Sequence, residues 1–206
     1  MKFYESGDNR KPVIFLFPGT CCLYSSFDHV LDGLHSYFYT VAVSYDGFDP
    51  NEKTEFYSME DECEKIEQEI RTKYGGRIKA AYGCSLGGSF VSLLIQRKRI
   101  HIDHGIIGSS DMDEAGSFMA KLQSSIIVPI MYKMVHTGKL PKFMKKKINE
   151  ADESRKKLID GFVNMFGIDK GGSPWITKQS VYNQFYSDLV TKVQHGIDVP
   201  GTTIHV

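Results

Sequence analysis

No run of apolar residues in this 206-residue chain is long enough to span a bilayer. Its first twelve residues, MKFYESGDNRKP, also lack the apolar stretch of a secretion signal. Excess charge is missing too: 25 Lys and Arg stand against 25 Asp and Glu, so no net field draws the chain to nucleic acid. Cysteine is scarce. Cys21, Cys22, Cys63 and Cys84 include one adjacent pair and no CxxC, which gives neither a disulfide framework nor a zinc-ligand set. A reducing cytoplasm is the simplest setting, and no metal or cofactor is expected. No internal repeat or low-complexity linker divides the chain. With 41% hydrophobic residues it is expected to fold as one unit with a full-sized core.

The front half alternates two kinds of segment. VIFLF (13–17), YTVAVSY (39–45), IKAAYGC (78–84) and IDHGIIGSS (102–110) are short runs rich in apolar residues, the pattern of strands buried on both faces. Between them lie helical patterns. Phe27, Val30, Leu31 and Leu34 recur at helical spacing behind Ser25 and Ser26, either of which suits an N-cap. Met59, Cys63, Ile66 and Ile70 mark one face of a charged helix that YGGR ends. SLGGSFVSLLIQRK reads as a third helix. This order predicts a doubly wound, mostly parallel α/β sheet with helices on both faces.

From Met112 the pattern changes. Residues 112–176 read as a helical insertion, with one ambiguous run, SSIIVPIMY, and six of the eight methionines. Lys142, Lys145, Lys146 and Lys147 lie in a basic stretch: either a solvated face or a surface for anionic head groups. Residues 177–206 return to the core. They read as a long helix striped by Val181, Phe185, Leu189 and Val193, stopped at Gly196, and then a strand, TTIHV.

One turn carries chemistry. Gly83-Cys84-Ser85-Leu86-Gly87 places a serine between two glycines, after a strand and before a helix. The five-residue spacing alone carries little, since a glycine-rich packing turn has the same composition. The strand-turn-helix setting is what a nucleophile elbow requires. It exposes the Ser85 hydroxyl and aims the Leu86 amide at the same point. In open α/β sheets, ligands gather beyond the carboxyl ends of strands, where this turn lies. Acyl transfer also needs a second amide donor for the developing oxyanion. FPGT ends the first buried strand, and the Thr20 amide is the candidate, although FPGT alone reads equally as an ordinary strand-ending turn. Cys84 reads as a residue chosen for size, and Asp46 as a turn former.

From about Pro12 to Val206, in order of elements, the chain resembles the α/β-hydrolase superfamily. The resemblance is specific at FPGT and YGCSLGGS, and Pro18 stands where a histidine is usual. It implies a serine hydrolase that cleaves an ester, thioester or amide through an acyl-enzyme on Ser85, with a small-molecule acyl substrate. It also implies a cap at residues 112–176 over a core made of 1–111 and 177–206. The family order is nucleophile, acid, histidine, whereas this sequence stops within TTIHV. The expectation is therefore that the C-terminal part of the usual fold is missing from these 206 residues.

Asp111, after the fourth strand, is the candidate acid; as a helix cap it needs no catalytic role. No base is assigned. His101 and His104 lie away from the active end, His195 ends a helix, and His205 is late in the last strand. His29 and His35 lie on the first helix, and His136 lies in the cap. An acyltransferase or lyase using the same site, and a catalytically inactive binding protein, stand as alternatives. The cap methionines and Phe118, Phe143, Phe162 and Phe166 are expected to wall an apolar acyl pocket.

Overall fold

The computed structural model describes residues 1–110, 114–141, 144, 152–168 and 170–206, without the side chains of Leu158, Phe162 and Asn164. The chain opens with a strand not expected from the sequence, β1 (Lys2–Ser6). Its two charged residues and short length disguise it. Phe3 packs edge-on against Phe15, while Tyr4 stacks on Tyr24, so each face of the strand carries one aromatic into the fold. Next come β2 (Val13–Phe17), a short 3-10 turn at Tyr24–Phe27, α1 (Asp28–His35), β3 (Tyr39–Ser44) and α2 (Met59–Tyr74). The front half closes with β4 (Arg77–Cys84), α3 (Leu86–Arg97) and β5 (His101–Gly108).

The sheet order is β1-β3-β2-β4-β5, continued by β6 (Thr203–His205). Only β1 runs antiparallel. Alternation along β2 sorts the core. Phe15 and Phe17 face α2 and α3, where Met59, Cys63, Ile66, Ile70, Phe90 and Leu94 are fully buried. Ile14 and Leu16 face α1 with Ala42 and Ala80, over Leu31 and Leu34. Ser58 caps α2 by accepting the Asp61 N–H at 3.1 Å, and Gly75, at φ 65°, ends it. Neither Ser25 nor Ser26 caps α1, because the 3-10 turn leads into it instead.

The insertion holds α4 (Ser117–Thr137) and α5 (Glu153–Met165), followed by α6 (Lys178–Val190). SSIIVPIMY is helical. Ala120, Ser124, Val128 and Val135 keep helical spacing on a buried face, and α4 packs along α6 in spite of Pro129. Helix α6 is shorter than its sequence pattern suggests. It stops at Val190, where Thr191 turns extended and its hydroxyl donates to Glu60 at 3.3 Å. The Gln194 N–H then donates to Gln96 Oε1 at 2.6 Å, which ties the departing chain to α3. The buried side of α6 is polar: Ser180, Gln184 and Ser187 line it with Val181. These hydroxyls are used. Ser187 accepts the Met59 N–H at 2.7 Å and Ser180 accepts the Phe56 N–H at 3.3 Å, fixing the loop that leads into α2.

Candidate active site

Strand β4 ends and α3 begins at Ser85, with no linking loop. Ser85 sits at φ 55°, ψ −126°, a sparsely populated conformation that costs on the order of 1–3 kcal/mol. Its backbone is held from two sides. The Ser85 N–H donates to the Gly108 carbonyl of β5 at 2.8 Å, and its own carbonyl accepts the Gly88 N–H at 2.8 Å. The flanking glycines are required by space. A Cβ on Gly83 would lie 2.0 Å from the Gly87 carbonyl oxygen, and one on Gly87 would lie 2.1 Å from the Phe17 carbonyl oxygen. The turn is thus wedged against the end of β2, so the FPGT loop lies beside it. A Cβ on Gly19 would be 3.7 Å from that of Ser85.

The loop carrying Thr20 is fixed at three points. Tyr45, fully buried, donates its hydroxyl to the Pro18 carbonyl at 3.2 Å. The Cys22 N–H closes a turn onto the Gly19 carbonyl at 3.0 Å. Cys21, left-handed at φ 59°, donates its N–H to Gln184 Oε1 at 2.7 Å. Burial pushes the Tyr45 phenol and both the Cys21 and Cys22 thiols up, so all three stay neutral. Among the described residues, neither the Thr20 nor the Leu86 amide donates to a protein acceptor. Tyr45 and Gln184 were not found in the sequence. Gln184 does leave a signal there: it is a polar residue four positions from Ser180 on the buried stripe of a helix.

The titratable candidates are dispersed. Asp111 lies outside the described residues; the preceding Ser110 meets Ser89 of α3, hydroxyl to hydroxyl, at 3.2 Å. His35 lies 2.9 Å from the Ser6 hydroxyl, His101 faces Asp103 at 3.3 Å, and His104 pairs with His205 at 3.3 Å. His136 meets the Ile176 carbonyl at 3.3 Å, and His195 and His29 are exposed. Among the described residues, no histidine is hydrogen-bonded to Ser85.

An apolar cavity of about 390 Å³ opens on the α1 face of the sheet, walled by Leu16, Val30, Leu34, Tyr82 and Ile106. It reaches Gly19 and Cys84 beside the elbow, and Met165 of α5 closes part of it. The expected cap lining is only partly realised. Met165 lines the cavity, and Met131 and Phe166 pack on the core, but Phe118 is 77% exposed and Met119 faces solvent as well. Phe118 turns outward because α4 spends its other face on α6. Phe143, the Phe162 side chain, Met112 and Lys142, Lys145, Lys146 and Lys147 lie outside the described residues.

No protein-family profile and no curated protein matches the sequence. Solved structures do match. A protein from Desulfitobacterium hafniense assigned to the α/β hydrolase family superposes with a TM-score of 0.70 at 15% identity, over 92% of this chain and 72% of that one. A structure reported with carboxylesterases of the thaumarchaeon Nitrososphaera gargenis gives 0.69 at 15% identity, over 98% and 74%. The enol-lactonase of Burkholderia xenovorans LB400 gives 0.67 at 13% identity, over 98% and 74%. Agreement of this extent at such low identity rests on the order and packing of elements, and by that measure the chain has the α/β-hydrolase fold.

Proposed function

We propose that the protein is a serine hydrolase that cleaves a carboxylic ester or thioester with an apolar acyl group, through an acyl-enzyme on Ser85. The observation that carries this reading is the backbone of Ser85, left-handed between β4 and α3 and wedged between glycines that tolerate no Cβ. A packing turn does not need that strain, whereas presenting a hydroxyl does. The Ser85 oxygen adds to the acyl carbon, the Thr20 and Leu86 amides receive the oxyanion, and the start of α3 adds its positive field. The adduct then collapses: the bond to the alcohol or thiol breaks, the leaving group carries away the proton given up by Ser85, and water cleaves the acyl-enzyme to the free acid while returning a proton to the Ser85 oxygen. The cavity beside Cys84 supports an apolar acyl group, since each buried methylene contributes about 0.8 kcal/mol.

A second reading rests on the dispersed histidines. With none bonded to Ser85 among the described residues, the same fold serves as a binding protein for a small apolar ligand. A fluorophosphonate probe separates the two. Covalent labelling that disappears in Ser85→Ala supports the hydrolase. Labelling that survives the substitution discards Ser85 as nucleophile, and an unlabelled wild type favours the binding protein.

A further inference from the structure

Helix α4 has two apolar faces, and among the described residues one of them is left exposed. Ala120, Ser124, Val128 and Val135 are buried on the side packed along α6. On the opposite side Phe118, Leu122, Ile126 and Ile130 follow one another at intervals of four, which aligns them in one stripe. Phe118 is 77% exposed and Ile126 62%. Met119 and Ile127 widen the stripe. Of the twelve large hydrophobic residues exposed among the described ones, these are six. A helix apolar all round is ordinarily buried all round, and a contiguous apolar patch on a surface marks an interaction site.

The charge around the stripe identifies the partner. Across α4 the sequence holds no acidic residue; all 25 Asp and Glu lie elsewhere. Helix α4 itself carries Lys121 and Lys133, both exposed. With no carboxylate on the helix to offset them, these two lysines set a local positive field beside the exposed apolar stripe. A second copy of the chain fits this surface poorly, because pairing two α4 faces opposes lysines to lysines with no carboxylate between them. An interface that is anionic at its surface and apolar just beneath it matches both features: lysines meet head groups while the stripe enters the acyl boundary. Helix α4 does not qualify as a membrane-crossing helix, so the contact lies in the plane of the surface. We infer that α4 is a peripheral docking face for anionic lipid bilayers. This rests on α4 alone and is independent of the chemistry at Ser85.

The test is co-sedimentation of the 206-residue protein with vesicles of phosphatidylcholine, alone or with about 30% phosphatidylserine. One lysine near an anionic surface is worth roughly fivefold in partition, so the anionic vesicles should bind at least about tenfold more protein. Raising salt from about 0.05 to about 0.5 M should remove most of that preference. Ile126→Glu and Leu122→Glu should each cut binding about tenfold without moving the thermal midpoint, because both side chains are exposed. Lys121→Glu with Lys133→Glu should do the same. Tyr37→Glu, a control at another exposed aromatic, should leave binding unchanged. Equal partition onto both vesicles, no binding to either, or binding indifferent to Ile126→Glu would overturn the inference. So would a dimer in light scattering that Ile126→Glu disperses, in a protein that ignores vesicles; the stripe would then be a self-association face.

Discussion

At the scale of single residues, the site depends on close approaches that leave no room for a methyl group. Gly87→Ala puts a carbon 2.1 Å from the Phe17 carbonyl oxygen, and both partners are backbone, so neither yields. We expect this variant to lose at least about 2 kcal/mol of stability by urea denaturation and to lose probe labelling with it. Gln184 is a gentler case. Gln184→Leu keeps the volume but leaves the Cys21 N–H buried and without its acceptor, a loss of roughly 1–3 kcal/mol. If that hydrogen bond sets the Thr20 amide, labelling of the folded variant should also slow; an unchanged rate would confine Gln184 to stability. The tight turn at Ser85 could be read from the sequence because glycine spacing and a strand-to-helix change are local signals. The brace by Gln184 could not, because its partner is 163 positions away and no periodicity announces a hydrogen bond across the fold.

At the scale of elements, most strands and helices were legible because burial writes a period into the sequence. The failures fall where contacts override that period. Strand β1 pairs with β3 in spite of its charges, and α6 stops three residues before its last stripe residue can join it, Val193 lying beyond the extended Thr191. Helix α2 hides a further departure. Its apolar stripe was correct, yet Glu62 is fully buried beside it, accepting the Asp46 N–H at 3.0 Å and Lys65 Nζ at 3.1 Å. Asp46 is therefore more than a turn former: it ion-pairs with Lys65 and with the Met1 ammonium. Burial, and then the Asp46 charge, raise the Glu62 carboxyl to about 7 from an ordinary 4.5. The folded form thus holds a proton there that the unfolded chain releases at lower pH, so the Glu62 contribution to stability falls as pH rises from about 4.5 through about 7. Lys65, raised, and Asp46, lowered, face the same group, and the Met1 ammonium, raised, reaches Asp46. Glu62→Gln should shrink the difference between thermal midpoints at pH 5 and pH 8. An unchanged difference would place the pH dependence elsewhere.

At the scale of the whole molecule, the sheet order and its antiparallel edge explain why likeness to known structures persists at 13–15% identity. Order of elements is set by which faces must be covered, and many sequences cover them equally well. The chemistry of a site has no such redundancy, which is why the fold was more legible than the acid or the base. The same architecture arranges the four thiols unequally. Cys21, Cys22 and Cys63 are buried, while Cys84 stands half open in the cavity wall, one residue from Ser85. An aromatic disulfide reagent added to native protein should therefore titrate one sulfhydryl quickly, and all four only after denaturation. That stoichiometry gives the protein a built-in optical gauge. The fast equivalent reports, without any engineered label, whether the cavity is occupied, and the appearance of the slow three times the opening of the core.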